Sequence, residues 1–149
     1  MDEIRAQIRR PVLHRVFEYW DGRRAGRAFP SRRDIDPLDL PFALGSLILI
    51  DVLRDPLRFR YRLVGTTATT RWGYDMTGKF VDDLPTPERR LIILDQYRRV
   101  VESARPLAIH GTHVLDGRNW VYDSVMMPLG QGGTIDMILI CVEYAQRDT

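Results

Sequence analysis

The 149-residue sequence contains a single cysteine, Cys141, and this scarcity excludes two classes of small protein. One cysteine can build neither an internal disulfide framework nor a zinc site that needs several cysteines. The first residues, M-D-E-I-R, carry acidic groups and lack the apolar stretch of a secretory signal. The longest uncharged apolar run, residues 40–50, is too short to span a bilayer. We therefore expect a cytoplasmic protein with no membrane partner.

The chain also lacks a large excess of either charge. Its 22 basic and 20 acidic residues leave a formal net charge of +2, so no strong long-range field acts on partners. Arginine is concentrated in residues 1–33, and a nucleic-acid-binding adaptor acting through this segment is one alternative. The arginines there alternate with acidic residues, which favours a solvated helix and linker, and we expect no nucleic-acid partner.

The N-terminal segment has the periodicity of an amphipathic helix. Residues 3–24 are predicted to be helical, with a restart at Pro11, because proline is tolerated in the first turn of a helix. The apolar stripe of this helix consists of Val12, Leu13, Val16, Phe17 and Trp20. A stripe this wide must cover either the chain's own sheet or a partner chain. Residues 25–41 contain three prolines and read as a loop, which divides the chain into a helix and linker (1–41) and a core domain (42–149).

The core opens with two predicted strands that form a hairpin around the Asp55-Pro56 turn. The first covers Ser46–Leu53, and the second, L-R-F-R-Y-R-L-V (57–64), alternates strictly between apolar and basic residues. This alternation places Phe59, Tyr61 and Leu63 on one face and Arg58, Arg60 and Arg62 on the other. One face of the strand is therefore expected to be buried.

Helices are predicted to follow the second strand. Thr66 is a candidate N-cap for a short helix that ends at Trp72, before Gly73. The sequence T-P-E at 86–88 predicts the start of a long helix, which ends near Ser103. We expect its buried face to contain Leu91, Leu94, Tyr97 and Val101.

Three further strands complete the predicted core, at 107–115, 120–129 and 134–144. Asp116-Gly117 and the G-Q-G-G segment supply the turns between them. The order of elements predicts an α+β fold, a five-stranded antiparallel sheet with helices inserted after strand 2 and an added N-terminal helix.

Several motifs carry a resemblance to a known family. Strand F-R-Y-R-L-V-G-T is followed by R-W-G-Y-D-M-T-G-K-F-V-D-D-L, the long helix and the three strands. This ordered set, over roughly residues 13–144, resembles the PAS domain. The upstream segments R-x-x-R-x-F-P-x-R and D-I-D-P-x-D-L-P resemble a bacterial family of single-PAS proteins, common in alphaproteobacteria and formerly of unknown function.

The resemblance implies a sensor or protein-interaction module of bacterial signalling and not an enzyme. PAS domains bind a small molecule between the sheet and the helices and often dimerise. We therefore expect a homodimer, formed through the N-terminal helix or the sheet, and a separate signalling protein that receives the output. Large side chains are expected around the cavity, although a tightly packed core without a ligand is the alternative. The candidate ligand-binding residues are Phe59, Tyr61, Trp72, Tyr74, Met76, His110, Trp120, Tyr122, Met126 and Met137.

The signatures of known PAS cofactors are absent, so any cofactor stays unidentified. Haem-binding versions need an axial histidine beside the pocket, and residues 66–105 contain none. Flavin photoreceptor versions resemble one another through an N-C-R-F-L-Q segment that this sequence does not have. His110 and His113 are three residues apart on a predicted strand, so they point to opposite faces and cannot share a metal ion. We expect no metal site.

An enzyme on a cone-shaped α+β fold, of the small isomerase or dehydratase type, is the main alternative. In that case Asp123 or a histidine acts as the general base in an apolar pocket. Cys141 lies among apolar residues of a predicted strand, which indicates a buried and inert thiol.

Overall fold

The computed structural model describes residues 1–115 and 117–146. Five strands form one antiparallel sheet in the order β2-β1-β5-β4-β3. The strands are β1 (Leu47–Leu53), β2 (Arg58–Val64), β3 (Leu107–Leu115), β4 (Arg118–Gln131) and β5 (Thr134–Gln146). The helices are α1 (Asp2–Arg5), α2 (Pro11–Arg23), α3 (Thr66–Trp72) and α4 (Pro87–Ser103). The predicted α+β fold is confirmed. The predicted turn at Asp116-Gly117 involves Asp116, which lies outside the described residues.

The sheet is covered on both faces. Alternate side chains of β1, β4 and β5, such as Ile48, Ser124 and Ile140, face the helix α4, and we call this the inner face. The intervening side chains form the outer face, where α2 packs against β4 and β5. Strands buried on both faces contain near-continuous apolar runs, as L-I-L-I in β1 does.

The apolar stripe of α2 packs on the chain's own sheet. Leu13, Val16, Phe17 and Trp20 are almost completely buried. The indole Nε1–H of Trp20 donates a hydrogen bond of 2.9 Å to the carbonyl oxygen of Pro128 in β4. The sequence left open whether this stripe covers the chain's own sheet or a partner chain. In the structure it covers the chain's own sheet.

The segment between α2 and β1 packs against the rest of the domain through its apolar side chains. Short 3₁₀ turns occur at Arg32–Asp34, Pro37–Asp39 and Pro41–Ser46. The buried residues Phe29, Ile35 and Leu40 belong to the same hydrophobic core as the sheet. The segment forms no α-helix or strand, as its prolines predicted, but it packs as part of the core.

The strict alternation predicted for β2 is wrong beyond Arg62. Phe59 and Tyr61 are buried as expected, whereas Leu63 is 42% exposed and Val64 points inward. In the pairing with β1, Ile50 faces Tyr61 and Leu49 faces Leu63, so Arg62 is an extra residue. Such a β-bulge reverses the direction of all side chains after it.

The predicted buried face of α4 is correct only in part, because Tyr97 is buried and Leu94 and Val101 pack partly buried against the core. The buried residues are Ile93, Gln96, Tyr97 and Val100, while Leu91 is 69% exposed. Both sets have helical spacing, and the sheet selects the one that meets its inner face. The start of the helix at Pro87 and its end at Ser103 agree with the prediction.

Thr66 is not the N-cap of α3. It is the first helical residue, and Gly65 occupies the cap position. A Cβ atom on Gly65 would lie 2.3 Å from the carbonyl oxygen of Gly45, so only glycine fits this close approach of two backbone segments. Gly73 ends the helix with a positive φ of 81°, as predicted.

We predict that Trp20→Ala lowers the free energy of unfolding by about 3–5 kcal/mol, because it removes a large buried side chain and leaves the Pro128 carbonyl without its donor. Urea denaturation monitored by circular dichroism measures this loss. Leu38 is 76% exposed, so the control Leu38→Ala should change stability by no more than about 0.5 kcal/mol. Equal effects of the two substitutions would contradict the packing of α2 on the sheet.

Candidate functional site

A cleft lies between α4 and the inner face of the sheet, where PAS-like ligand binding was expected. Its cavity volume is about 30 Å³, which is room for one water molecule. Typical small-molecule pockets are roughly ten times larger. The lining residues are Ile48, Trp72, Arg89, Ile93, Gln96, Tyr97, Tyr122, Ser124, Met126, Ile140, Val142 and Tyr144. The deep part of the cleft therefore cannot take a large planar group without movement of side chains.

Aromatic side chains form the walls of this cleft. The indole N–H of Trp72 donates to the hydroxyl oxygen of Tyr144 at 2.9 Å. Tyr61 packs edge-on against Trp72, and its hydroxyl lies 3.5 Å from that of Tyr97. Tyr74 also packs against Trp72, with the two ring centroids 6.2 Å apart. These contacts hold α3 and its following loop against the sheet and α4.

The hydroxyls of Tyr61, Tyr97 and Tyr144 are neutral at physiological pH. Burial raises the pKa of Tyr61 to about 12 and raises those of Tyr97 and Tyr144 as well. The positive charge of Arg89 opposes each of these three shifts without cancelling them. The hydroxyls therefore serve as hydrogen-bonding groups and not as bases.

Arg89 and His113 meet at one end of the cleft. A guanidinium nitrogen of Arg89, on the first turns of α4, lies 3.1 Å from Nδ1 of His113 on β3. Arginine can only donate, so Nδ1 accepts and the proton of the neutral ring sits on Nε2. Burial and then the charge of Arg89 lower the pKa of His113 to about 4, which keeps the ring neutral at pH 7.

A second arginine, Arg71, lies beside the Arg89–His113 pair and stacks on Trp120. Trp120 is the direct cross-strand partner of His113, so both side chains lie on the inner face. The guanidinium of Arg71, at the end of α3, stacks 4.0 Å above the Trp120 ring. Within residues 1–115 and 117–146, neither Arg71 nor Arg89 has a carboxylate within ion-pair distance.

Three buried polar atoms near these cations have no hydrogen-bond partner in the described part of the chain. They are His113 Nε2, Trp120 Nε1 and Ser124 Oγ. All three belong to the inner face of β3 and β4. Because buried polar groups are nearly always hydrogen-bonded, this cluster indicates a place where an acceptor is missing.

The structure brings most of the sequence-predicted site residues to the inner face. Trp72, Tyr122 and Met126 line the cleft itself. Around them, Phe59 packs on Tyr97, and both Tyr61 and Tyr74 pack on Trp72. Trp120 lies under the guanidinium of Arg71, and Met76 is buried. His110 and Met137 lie on the outer face, because His110 bonds to Asp123 and Met137 alternates with the inward-pointing Ile138.

Asp123, the base of the enzyme alternative, lies on the outer face away from the cleft. Its carboxylate accepts hydrogen bonds from Arg10 Nε at 2.8 Å and from His110 Nδ1 at 2.9 Å. Burial raises the pKa of Asp123, but these two partners outweigh it and the pKa is lowered. The cluster joins the start of α2 to the sheet. The described residues contain no group of three side chains arranged to hold a metal ion.

Sequence reasoning missed Arg89 and Arg71 as members of the candidate site, and it selected His110 in place of His113. A helical signal for Arg89 existed, since Arg89, Ile93, Gln96, Tyr97 and Val100 share one face of α4. The sequence prediction included Leu91 in the buried face of α4 and therefore did not include Arg89. Cys141 is buried, and burial raises the pKa of its thiol to about 12, in agreement with the inert group predicted.

Comparison with known families decides the class of this fold. A family model described as "PAS domain" matches residues 8–139, which is most of the chain. The chain belongs to the PAS family. Membership of the PAS family indicates a signalling sensor module, and the PAS fold replaces the cone-shaped fold of the alternative interpretation.

Several solved structures are similar at low identity. The PAS domain of Bordetella pertussis BvgS is 13% identical over 67% of this chain and 74% of that chain, with a TM-score of 0.46. A PAS domain from Colwellia psychrerythraea is 16% identical over 76% and 100%, with a TM-score of 0.49. A sensory box histidine kinase/response regulator from Burkholderia thailandensis is 12% identical over 74% and 85%, with a TM-score of 0.45. No curated protein matches the chain.

The described residues of this PAS domain form no helix that is both long and apolar enough to cross a membrane. The longest helix is α4, whose 17 residues include several arginines.

We predict that His113 of the PAS domain stays neutral down to about pH 5. Its pKa is about 4 in the folded protein against 6.5 ordinarily, so the unfolded chain binds more protons between these values. The contribution of His113 to stability is complete above pH 6.5 and is lost as the pH falls toward 4. Titration of the ring nitrogens by NMR gives the folded value, and the same titration in urea is the control. A folded midpoint at or above 6.5 would contradict the burial of this ring.

Proposed function

We propose that this PAS domain is a non-catalytic sensor that binds a short-chain carboxylate at the end of the cleft where Arg89, His113 and Trp120 meet. The observation that carries the proposal is a set of donors without an acceptor. Arg71 and Arg89 have no carboxylate partner among the described residues, and the ring N–H groups of His113 and Trp120 are buried and unpaired.

An anion is the chemistry that completes this set. His113 Nε2–H and Trp120 Nε1–H can only donate, and both guanidinium groups can only donate. A buried donor without an acceptor costs about 1–3 kcal/mol. A carboxylate supplies several acceptor sites and offsets the positive charge of Arg89, and arginine holds carboxylates through paired hydrogen bonds.

The size of the cleft supports a small anion. The cavity of about 30 Å³ excludes a bulky ring unless the aromatic walls move. A carboxylate with a short apolar tail, directed toward Met126 and Val142, exceeds the room for one water molecule by less than a ring does, so it needs a smaller movement of these walls. We therefore favour a short-chain aliphatic carboxylate over an aromatic ligand.

Ligand binding would act on the position of α4. Arg89 sits on α4, whereas His113 and Trp120 sit on the sheet, so an anion that bridges them favours one arrangement of α4 and the sheet. We propose that a separate signalling protein reads this change in the cell cytoplasm. The proposal assigns no chemical step, because His113 is a neutral donor and Asp123 lies on the other face of the sheet.

We predict that the wild-type protein is thermally stabilised by at least one of acetate, propionate and butyrate, and not by the corresponding amide, because only the carboxylate offsets the charge of Arg89. Arg89→Gln should abolish this stabilisation by removing the main charge and the bond to His113. Thermal unfolding at increasing ligand concentration measures the effect, since a ligand that binds only the native state raises the Tm.

Arg98→Gln is the matched control, because Arg98 lies exposed on the same helix and the substitution removes the same charge. It should leave the stabilisation intact. If Arg89→Gln and Arg98→Gln lost the same amount of thermal stabilisation, the effect would come from general electrostatics and not from a site. If none of the three acids stabilised the wild-type protein, the carboxylate proposal would be refuted. Stabilisation by inorganic phosphate alone, lost in Arg89→Gln, would keep the anion site and reject the carboxylate.

A further inference from the structure

The two edges of the sheet differ in their protection. At the β2 edge, residues 78–80 run alongside the strand and exchange backbone hydrogen bonds with Tyr61, and Phe80 forms a bridge with Arg60. Three of the seven residues of β2 are arginines. Cover of this kind and charged side chains are the usual means by which proteins prevent an edge strand from pairing with another chain.

The β3 edge has neither form of protection. Its nine residues, L-A-I-H-G-T-H-V-L, include no Asp, Glu, Lys, Arg or Pro. In the described part of the molecule its only strand neighbour is β4, so the backbone groups on its far side are unpaired. Val114 is 64% exposed on this strand. A long, uncharged edge is a template for a further strand.

Space for that strand lies beside the first half of β3. An open groove of about 360 Å³ separates residues 6–9 from Ala108, Ile109 and His110. A neighbouring groove of about 600 Å³ continues it past Leu107 toward the end of α4. The N-terminal segment therefore borders the β3 edge without covering it.

We propose that the β3 edge is a dimer interface, at which β3 of a second copy of this chain pairs antiparallel with β3 across a twofold axis at Gly111. The two sheets then form one continuous ten-stranded sheet. A twofold interface requires a surface that is complementary to itself, and this register meets the requirement. In this register, a residue that follows Gly111 by n positions faces the residue of the other copy that precedes Gly111 by n positions. The exposed Val114 of each copy therefore lies opposite Ala108 of the other copy and enters the groove beside Ala108.

The remaining pairs in this register are also compatible. His110 lies opposite Thr112, and Ile109 opposite His113, so no like-charged side chains face each other. At the axis, a Cβ atom on Gly111 would lie 2.7 Å from the Tyr122 ring of its own chain, so glycine fits here and no two side chains meet at the axis.

A second copy is favoured as the occupant because the other surface expected to dimerise is already covered. The apolar stripe of α2 packs on its own sheet, with Phe17 and Trp20 fully buried. The stripe of α2 therefore offers no apolar surface to a second chain. The free edge is the part of the sheet that can still accept one.

The test is the solution mass of the full chain and of Val114→Lys, measured by sedimentation equilibrium. Wild type should be dimeric, and Val114→Lys should raise the dimer dissociation constant at least about tenfold, because it places a lysine in each groove. The exposed position of Val114 means that the variant keeps its fold, which circular dichroism checks. Leu38→Lys, an equally exposed apolar position in the α2–β1 segment, is the control and should stay dimeric.

The register is tested by Ala108→Cys combined with Val114→Cys in one chain. Mild oxidation should convert this variant to a covalent dimer at least about tenfold faster than either single variant, because each cysteine then faces its partner across the axis. The native Cys141 is buried and does not interfere. A monomeric wild type, a Val114→Lys variant that dimerises as wild type does, or single variants that cross-link as fast as the double variant would each overturn the proposal.

Discussion

The structure depends on the need to cover both faces of the three central strands. β1, β4 and β5 carry apolar side chains in both directions, so a helix on one face alone would leave the other in water. α2 supplies one cover through Trp20 and Phe17, and α4 supplies the other through Ile93 and Tyr97. The N-terminal helix is for this reason part of the fold and not an appendage to it.

This two-sided cover separates the polar chemistry of the molecule into two unlike sites. On the outer face, the carboxylate of Asp123 is fully paired with Arg10 and His110, and the cluster has the character of a structural joint. On the inner face, the donors around Arg89 and His113 outnumber their acceptors. An unpaired set of donors carries a cost that a ligand can remove, whereas a satisfied ion pair offers a ligand nothing. For this reason we propose the inner face as the place of sensing.

Much of the fold could be predicted from the sequence, because its signals are local. Pro87 starts α4, Gly73 ends α3, and the apolar runs mark the strands, since each depends on the backbone preferences of a few residues. The candidate site was predicted less completely. Aromatic residues such as Trp72 and Tyr122 could be placed near a cavity from the PAS resemblance, but Arg89 and His113 could not. Their role depends on contact between a helix and a strand 24 residues apart.

The sequence by itself determined the order of elements and the PAS family. Only the tertiary structure decided which way two segments face. In α4 the predicted and the observed buried faces overlap at Tyr97, and contact with the sheet's inner face decides that Ile93 and Val100 are buried while Leu91 is exposed. In β2 the extra residue at Arg62 is visible only in its pairing with β1. His110 and His113 are likewise assigned to their faces by Asp123 and Arg89. The physical reason is the same in each case: periodicity defines faces within an element, but only packing against another element defines which face is buried.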